Sequence, residues 1–399
     1  MRRPSLLPVL LFGTSLWTLS GAALAQFPWA GARAVGMGGA QVAAVDDGTA
    51  AWSNPAALGS LDGWSVQLFG SGLASNRNGF VSVVDSLAKL PFGQIAGGQR
   101  LDLLPGLIDD LGRLARADSA VVFSGVAALG VQYHGFSLSV GSVPYAGIYP
   151  IIDLVHIVPN AGPDQGLAFN ETGLSLAGLS AREVRLAYGH GFLGRTVLVG
   201  GAARVVFGRT YFNRCGVFDT CQNKDLPDLV HDAFKENAVD TTKFAFDLGA
   251  QVNLGIVRFG VTGVSLNEPS FAMALVPGAP ATVPLPRQIR GGVAVHVLSF
   301  LTVAADGDFL KSKTLAPGTE SQQLSLGAEV NIPLLAFRVG GYRDLAALDP
   351  HWGYSFGVGF AVPLVSIDAS VLLSPQGGLN PTDLDRLELG AGLSARVHF

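Results

Sequence analysis

The chain has 399 residues, 14% of them charged and 49% hydrophobic, with 52 glycines, a formal net charge of −4 and a mean hydropathy of +0.39. The weak charge and scattered Lys and Arg exclude a nucleic-acid surface, and beyond the first 25 residues no stretch reaches the roughly 18 apolar residues that a spanning helix requires. A chain this apolar can still cross a bilayer as a closed sheet, with lipid-facing side chains alternating with small or polar ones.

Arg2 and Arg3 precede an apolar run from Leu6 to Leu19, and Ala23-Leu24-Ala25 offers a small-x-small cleavage pattern. Residues 1–25 are therefore expected to be a secretory signal cut before Gln26. No Cys follows that point, which argues against a lipid anchor.

Residues 26–59 do not alternate. They are rich in Gly and Ala and read as irregular backbone or short helix. Facing lipid, such a segment could not satisfy its backbone polar groups; inside a lumen it could. It is expected to be an N-terminal plug, or hatch, inside a barrel formed by 60–399. Gly36, Gly38 and Gly39 read either as hinges or as tight turns in a packed plug. Asn54 can bond plug to wall while Pro55 stiffens the turn before Ala56, a structural role set ahead of direct ligand contact.

From residue 63 onward a period of two recurs. Phe244, Phe246, Leu248, Ala250, Val252 and Leu254 alternate with Lys243, Asp247, Gly249, Gln251 and Asn253. Trp352, Tyr354, Phe356, Val358 and Phe360 alternate with Gly353, Ser355, Gly357 and Gly359. Similar runs lie near 63–72, 121–133, 135–147, 181–192, 195–210, 256–267, 289–299, 301–310, 324–332, 335–343 and 364–374. Weaker ones lie near 73–84 and 165–177. Links such as His134-Gly135, Leu193-Gly194, Gly255 and Pro363-Leu364 are hairpin turns. The predicted fold is all-β: a transmembrane antiparallel up-and-down barrel of about fourteen strands. Longer connections at 85–118, 148–166, 211–240 and 268–286 are expected outside the cell. Leu101 to Ala115 and Asp225 to Asn237 are expected helical stretches within them. The last run, Leu387 to Phe399, alternates to an aromatic terminus, as the closing strand of a bacterial outer-membrane barrel does.

Cys215 and Cys221 flank a loop-like segment. In an oxidising compartment they are expected to bridge; the rival reading is a metal pair, although no His stands at ligand spacing nearby. By strand parity Lys243, Asp247, Arg258, Asp306, Asp308, Glu329, Arg338, Arg343, Asp368, Glu388, Arg396 and His398 are expected to face the lumen. Both signs occur, which suits pairing across the lumen and anchoring of the plug; a ligand-carboxylate site built from Arg258, Arg338 or Arg343 is the alternative. Gly353-Tyr354-Ser355-Phe356-Gly357 fits the nucleophile-elbow spacing but lies mid-strand with no helix after it. Neither enzymatic activity nor a cofactor nor a metal site is expected.

The segment Ala32-Arg33-Ala34-Val35-Gly36-Met37-Gly38-Gly39-Ala40, with Val45-Asp46-Asp47 and Ala51-Trp52-Ser53-Asn54-Pro55-Ala56-Ala57-Leu58, resembles the opening of FadL-like outer-membrane proteins. That superfamily includes fatty-acid transporters, PorV-like secretion proteins and TraF-like conjugal transfer barrels, and Asn54, Pro55 and Ala56 match its plug triplet. The resemblance implies a fourteen-stranded barrel with a plug in the bacterial outer membrane. Two functions follow as expectations. One is plug-gated binding and passage of a hydrophobic, fatty-acid-like small molecule. The other is a barrel that holds a protein partner in secretion or conjugation. Outer-membrane lipid is the expected surround in either.

Overall fold

A computed structural model describes residues 29–96, 98–116, 119–153, 156, 170–216, 237–314, 319–347, 350–375 and 387–399. The expected signal peptide and the helix expected over 225–237 lie almost wholly outside these residues.

Eighteen strands are present among the described residues: β1 (Trp64–Arg77), β2 (Ala120–Tyr133), β3 (Phe136–Ile151), β4 (Gly173–Phe192), β5 (Val197–Gly216), β6 (Val239–Leu254), β7 (Val257–Val264), β8 (Ser270–Ala272), β9 (Thr282–Pro284), β10 (Gln288–Leu298), β11 (Leu301–Asp308), β12 (Ser312–Lys313), β13 (Glu320–Ser321), β14 (Gln323–Ile332), β15 (Leu335–Asp344), β16 (Trp352–Val362), β17 (Val365–Pro375) and β18 (Leu387–His398). Fourteen of them close an antiparallel barrel, while β8–β9 and β12–β13 form two small separate ribbons. Each wall strand pairs with its neighbour in sequence, and β1 pairs with β18 to complete the ring, Ser65 opposite His398 and Ser75 opposite Glu388.

Alternation is the cause. Successive side chains of a strand point to opposite faces, so in β16 Tyr354, Phe356, Val358 and Phe360 are exposed outward while Gly353, Ser355, Gly357 and Gly359 are buried inward. The same holds for Phe244, Phe246 and Leu248 against Ala245 and Asp247 in β6. The outward residues make the apolar belt of an outer-membrane barrel. Near the short turns the belt ends in aromatic pairs: Trp64–Tyr133 with ring centroids 4.5 Å apart, and Phe136–Tyr188 at 4.4 Å. Such rings favour the lipid–water boundary.

Two weak runs did not become strands of their own. Residues 73–77 continue β1, after which Phe80–Ala88 turns helical (α3). The described part of 165–177 joins 181–192 in the single 20-residue β4. At about 3.3 Å per residue and a tilt of about 40°, a strand of that length stands roughly 50 Å tall, well beyond the ~30 Å hydrocarbon layer. β7 and β11 have only 8 residues each, so the wall is high on one side and low on the other.

α4 (Phe92–Ala96) and α5 (Leu104–Leu114) follow α3 in the first long connection, after a 3-10 turn at Leu101–Leu103. Phe80, Val83, Leu87, Ile95, Leu107, Leu111 and Leu114 pack together and onto Val121, Ile148, Leu174 and Leu176 of β2–β4. The helices thus cover the outer face of the high wall. On the inside, Phe271, Met273, Val283 and Leu285 of the β8–β9 ribbon fold back against β3–β6. Before β1, α1 (Gly31–Gly36), α2 (Ala50–Ser53) and a 3-10 turn at Pro55–Ser60 lie within the wall and are nearly all buried.

Candidate functional site

The plug has little regular structure, so most of its backbone polar groups need partners from elsewhere. Small polar residues on the inward faces of the wall supply them. Ser394 accepts from the Ala32 N–H at 2.9 Å, Ser370 donates to the Ala32 carbonyl, and Ser355 donates to the Gly36 carbonyl at 3.0 Å. Asp306 accepts from both Gln41 N–H (2.7 Å) and Val42 N–H (2.8 Å). Gln251 donates to the Val42 carbonyl at 2.8 Å, and the Trp52 indole N–H donates to Ser139 at 3.1 Å. Ser355 is therefore a plug clasp in mid-strand, and the elbow spacing around it has no helix to serve.

The plug triplet works locally and across the lumen. Asn54 Nδ2 donates to the Val42 carbonyl at 2.9 Å and, at 3.4 Å, to Ala250 of β6, while its Oδ1 accepts from Ala56 N–H at 3.2 Å. Pro55 occupies the first turn of the 3-10 segment, where its missing N–H costs nothing. Gly38 (φ +63°) and Gly39 (φ +89°) adopt left-handed backbone in tight packing. A Cβ on Gly38 would lie 2.6 Å from Gly341 N, and one on Gly39 the same distance from the Trp29 ring. Gly36 ends α1 without a positive φ; a Cβ there would sit 3.2 Å from Arg338 Cβ and Gly357 Cα.

Charges complete the attachment. Arg33 of α1 clasps Glu329 of β14 with two bonds, 2.9 and 2.8 Å, and also bonds Asp46. Glu329 further accepts from Arg338 at 2.6 Å, and Arg338 reaches Asp368 at 2.7 Å. On the opposite wall Glu183, Arg185, Arg204 and Asp247 form a closed square with N···O distances of 2.7–3.0 Å, every side chain 3% exposed or less. Arg185 also donates to the Ala51 carbonyl at 2.7 Å and lies 4.1 Å from the Trp52 ring centroid, a cation–π contact. Two carboxylates against two guanidiniums leave this square formally neutral.

The remaining lumen candidates are placed as follows. Arg258 reaches the Ala43 and Val45 carbonyls at 3.4 and 3.5 Å. Asp308 accepts from Gln323 N–H at 2.7 Å and lies 3.6 Å from Arg290. Glu388 bonds Ser75 and Tyr342. Lys243, Arg396 and His398 are half-buried on inward-facing positions of β6 and β18. Arg343 is a correction. The ladder between β14 and β15 runs without a bulge, and Arg338, Tyr342 and Asp344 are the buried, inward set. Five residues along a strand reverses the face, so Arg343 points outward near the rim and donates to the Pro350 carbonyl at 2.8 Å. The carboxylate site drawn through Arg343 loses that member. Cys215 is buried at the end of β5, while Cys221 lies outside the described residues. Glu183, Arg185 and Arg204 were missed; Glu183-Val184-Arg185-Leu186-Ala187 carried the same alternating signal.

At the opposite edge of the barrel Arg195 grips Asp62 with two bonds of 2.7 Å. That hydrogen bond, ahead of every other influence, holds the Asp62 carboxyl below its ordinary value. Among the described residues no group of three or more His, Cys, Asp or Glu stands at metal-holding geometry.

Inside, the β2–β3 ladder breaks. Pairing passes from Ser124–Tyr145 to Ala127–Ser142, and Pro144 sits in the gap without an N–H to donate. A pocket opens there, lined by Trp29, Leu73, Val126, Val143 and Tyr145, with a free volume of about 20 Å³, room for roughly one water.

The family described as "F plasmid transfer operon, TraF, protein" matches residues 73–308. No curated protein matches. Several solved channels share the fold. The CymD monoaromatic hydrocarbon channel is 15% identical over 93% of this chain and 97% of its own, with a TM-score of 0.53. The Ralstonia pickettii toluene transporter TbuX is 14% identical over 96% and 100%, at 0.51. The P. putida toluene transporter TodX is 14% identical over 94% and 99%, at 0.51. At these identities the likeness is one of fold: a closed fourteen-strand barrel preceded by a helical segment, as the leading residues led us to expect.

Proposed function

The chain belongs to the TraF family of the F plasmid transfer operon, and from that premise and its channel-type barrel we propose that it binds hydrophobic small molecules and passes them across the outer membrane. The observation that carries this reading is the apolar pocket at the break in the β2–β3 ladder. It touches the plug at Trp29 and the wall at Leu73, Val126, Val143 and Tyr145. Concave apolar sites of this kind suit hydrophobic ligands. Its free volume of about 20 Å³ is far below what an aromatic ring or acyl chain needs, so a ligand waits on movement of the plug or of the wall beside Pro144. The relatives of known structure are channels or transporters for monoaromatic hydrocarbons and toluene, which makes that class the first to test.

The test is uptake of radiolabelled toluene and a long-chain fatty acid into vesicles containing the purified protein. We expect saturable uptake, reduced at least tenfold by Val126→Trp, which fills the pocket from the wall. Uptake no faster than in protein-free vesicles would overturn the reading.

A second reading, docking of a protein partner in secretion or conjugation, is favoured by a separate observation. The lumen is filled by the plug and the β8–β9 ribbon, while Leu275 between those two strands is 98% exposed. Absence of uptake together with loss of conjugal transfer on Leu275→Asp would favour it.

A further inference from the structure

Resting on the transport reading, we propose that a second pocket, between the buried charge square and the segment Leu285–Gln288, receives the hydroxyl group of a neutral amphiphile, a phenol or an alcohol, in preference to a carboxylate or a bare hydrocarbon. This pocket is lined by Glu183, Arg185, Arg204 and Ser265 on its polar side and by Val143, Tyr145, Val264 and Leu285 on its apolar side. Tyr145 also lines the pocket beside Trp29 and a third one under Val283–Pro286 near Lys313. One side chain therefore stands where all three meet, and a ligand with a polar head and an apolar body would lie past Tyr145 with its ends in different pockets.

Two buried polar atoms select the head group. Arg204 spends its NH1 on Glu183 and its NH2 on Asp247 and Ser265, yet its Nε–H has no acceptor. Gln288 Oε1, from the facing β10, has no donor. Both residues line this pocket, and buried groups of this kind need partners. A hydroxyl both accepts and donates, so it matches an unmet donor and an unmet acceptor alike. A carboxylate only accepts, and would leave Gln288 Oε1 facing an anion. It would also enter a square whose two guanidiniums are already matched by two carboxylates, with no positive charge to spare. A methyl group answers neither atom. The space is about 10 Å³, the size of one water, so it has room for the hydroxyl alone and the ligand's body lies beyond it.

Toluene, p-cresol and p-toluate share one ring and differ in the polar group, so they separate the alternatives. Their binding to the full-length protein in detergent would be measured calorimetrically at pH 7, for the natural chain and for Gln288→Met, which keeps the volume and removes the acceptor. We expect p-cresol to bind at least tenfold tighter than toluene or p-toluate, and Gln288→Met to reduce that preference severalfold while toluene binding stays put. Unchanged toluene binding also shows that the variant is folded. Tightest binding of p-toluate would overturn the proposal in favour of an anion site. Equal binding of toluene and p-cresol would overturn it while leaving the transport reading intact. Failure of all three to bind would remove both.

Discussion

Glu183 is held by Arg185 and Arg204 at 2.8 and 2.9 Å in a square shut off from water. Burying four charges is costly, and what offsets the cost is complete pairing. Removing one partner is then worse than never having had the pair. Glu183→Gln leaves an uncompensated guanidinium inside the wall, and urea titration of the protein folded into lipid vesicles should show a loss of about 3–5 kcal/mol. Arg195 and Asp62 make the opposite kind of pair, exposed at the barrel edge. Because Asp62 is depressed in the folded protein, its contribution is present above the unfolded carboxyl value of about 4 and disappears as pH falls through the folded value. The unfolding midpoints of the natural chain and Asp62→Asn should differ slightly at neutral pH and converge as pH falls below the ordinary carboxyl value. A gap that widened toward acid would contradict the sign.

Among elements, α1 shows how a segment of six residues is held without an amphipathic face of its own. Ser355, Ser370 and Ser394 bind its ends from three adjacent strands. Each bond is worth about 1 kcal/mol. Replacing all three serines by alanine should therefore expose residues 29–60 to protease at concentrations that spare the natural chain, with the barrel's own unfolding midpoint nearly unchanged. An equal drop in both would mean that plug and wall unfold as one unit. The strand β4 marks where sequence reading stops being sufficient. Over 181–192 the wall meets lipid on one side, so Val184, Leu186 and Tyr188 alternate visibly with Glu183, Arg185 and Ala187. Over 173–181 nearly every residue is buried, because α3 and α5 cover Leu174 and Leu176 outside while the ribbon packs inside. With both faces hidden the period of two fades, and one strand reads as two. Most of the inward charges were legible as a set from strand parity; Arg343 was set among them although it stands five residues from Arg338, an odd step that puts it on the other face. Their partners were not legible, since Glu183, Arg204 and Asp247 come from three strands and meet only after the register is fixed.

For the whole molecule, plug and wall divide the work. The wall alone would be a water-filled tube, because its inward faces are rich in Ser, Gly and paired charges. What closes it is residues 29–60, whose hydrogen bonds reach strands on opposite sides of the ring. Deleting residues 29–60 should convert a silent protein into one with steady ion conductance in planar bilayers, while the natural chain at the same density stays silent. No added conductance in the deletion would show that the β8–β9 ribbon suffices as a seal.

The join between β1 and β18 has a consequence for how the plug is held. Trp64 and Phe399 exchange bonds of 3.2 and 2.8 Å at that join, so closing the cylinder needs the first and the last wall strand side by side. The plug's holders sit all round the interior, so the closed seam completes a ring that grips one segment from several sides.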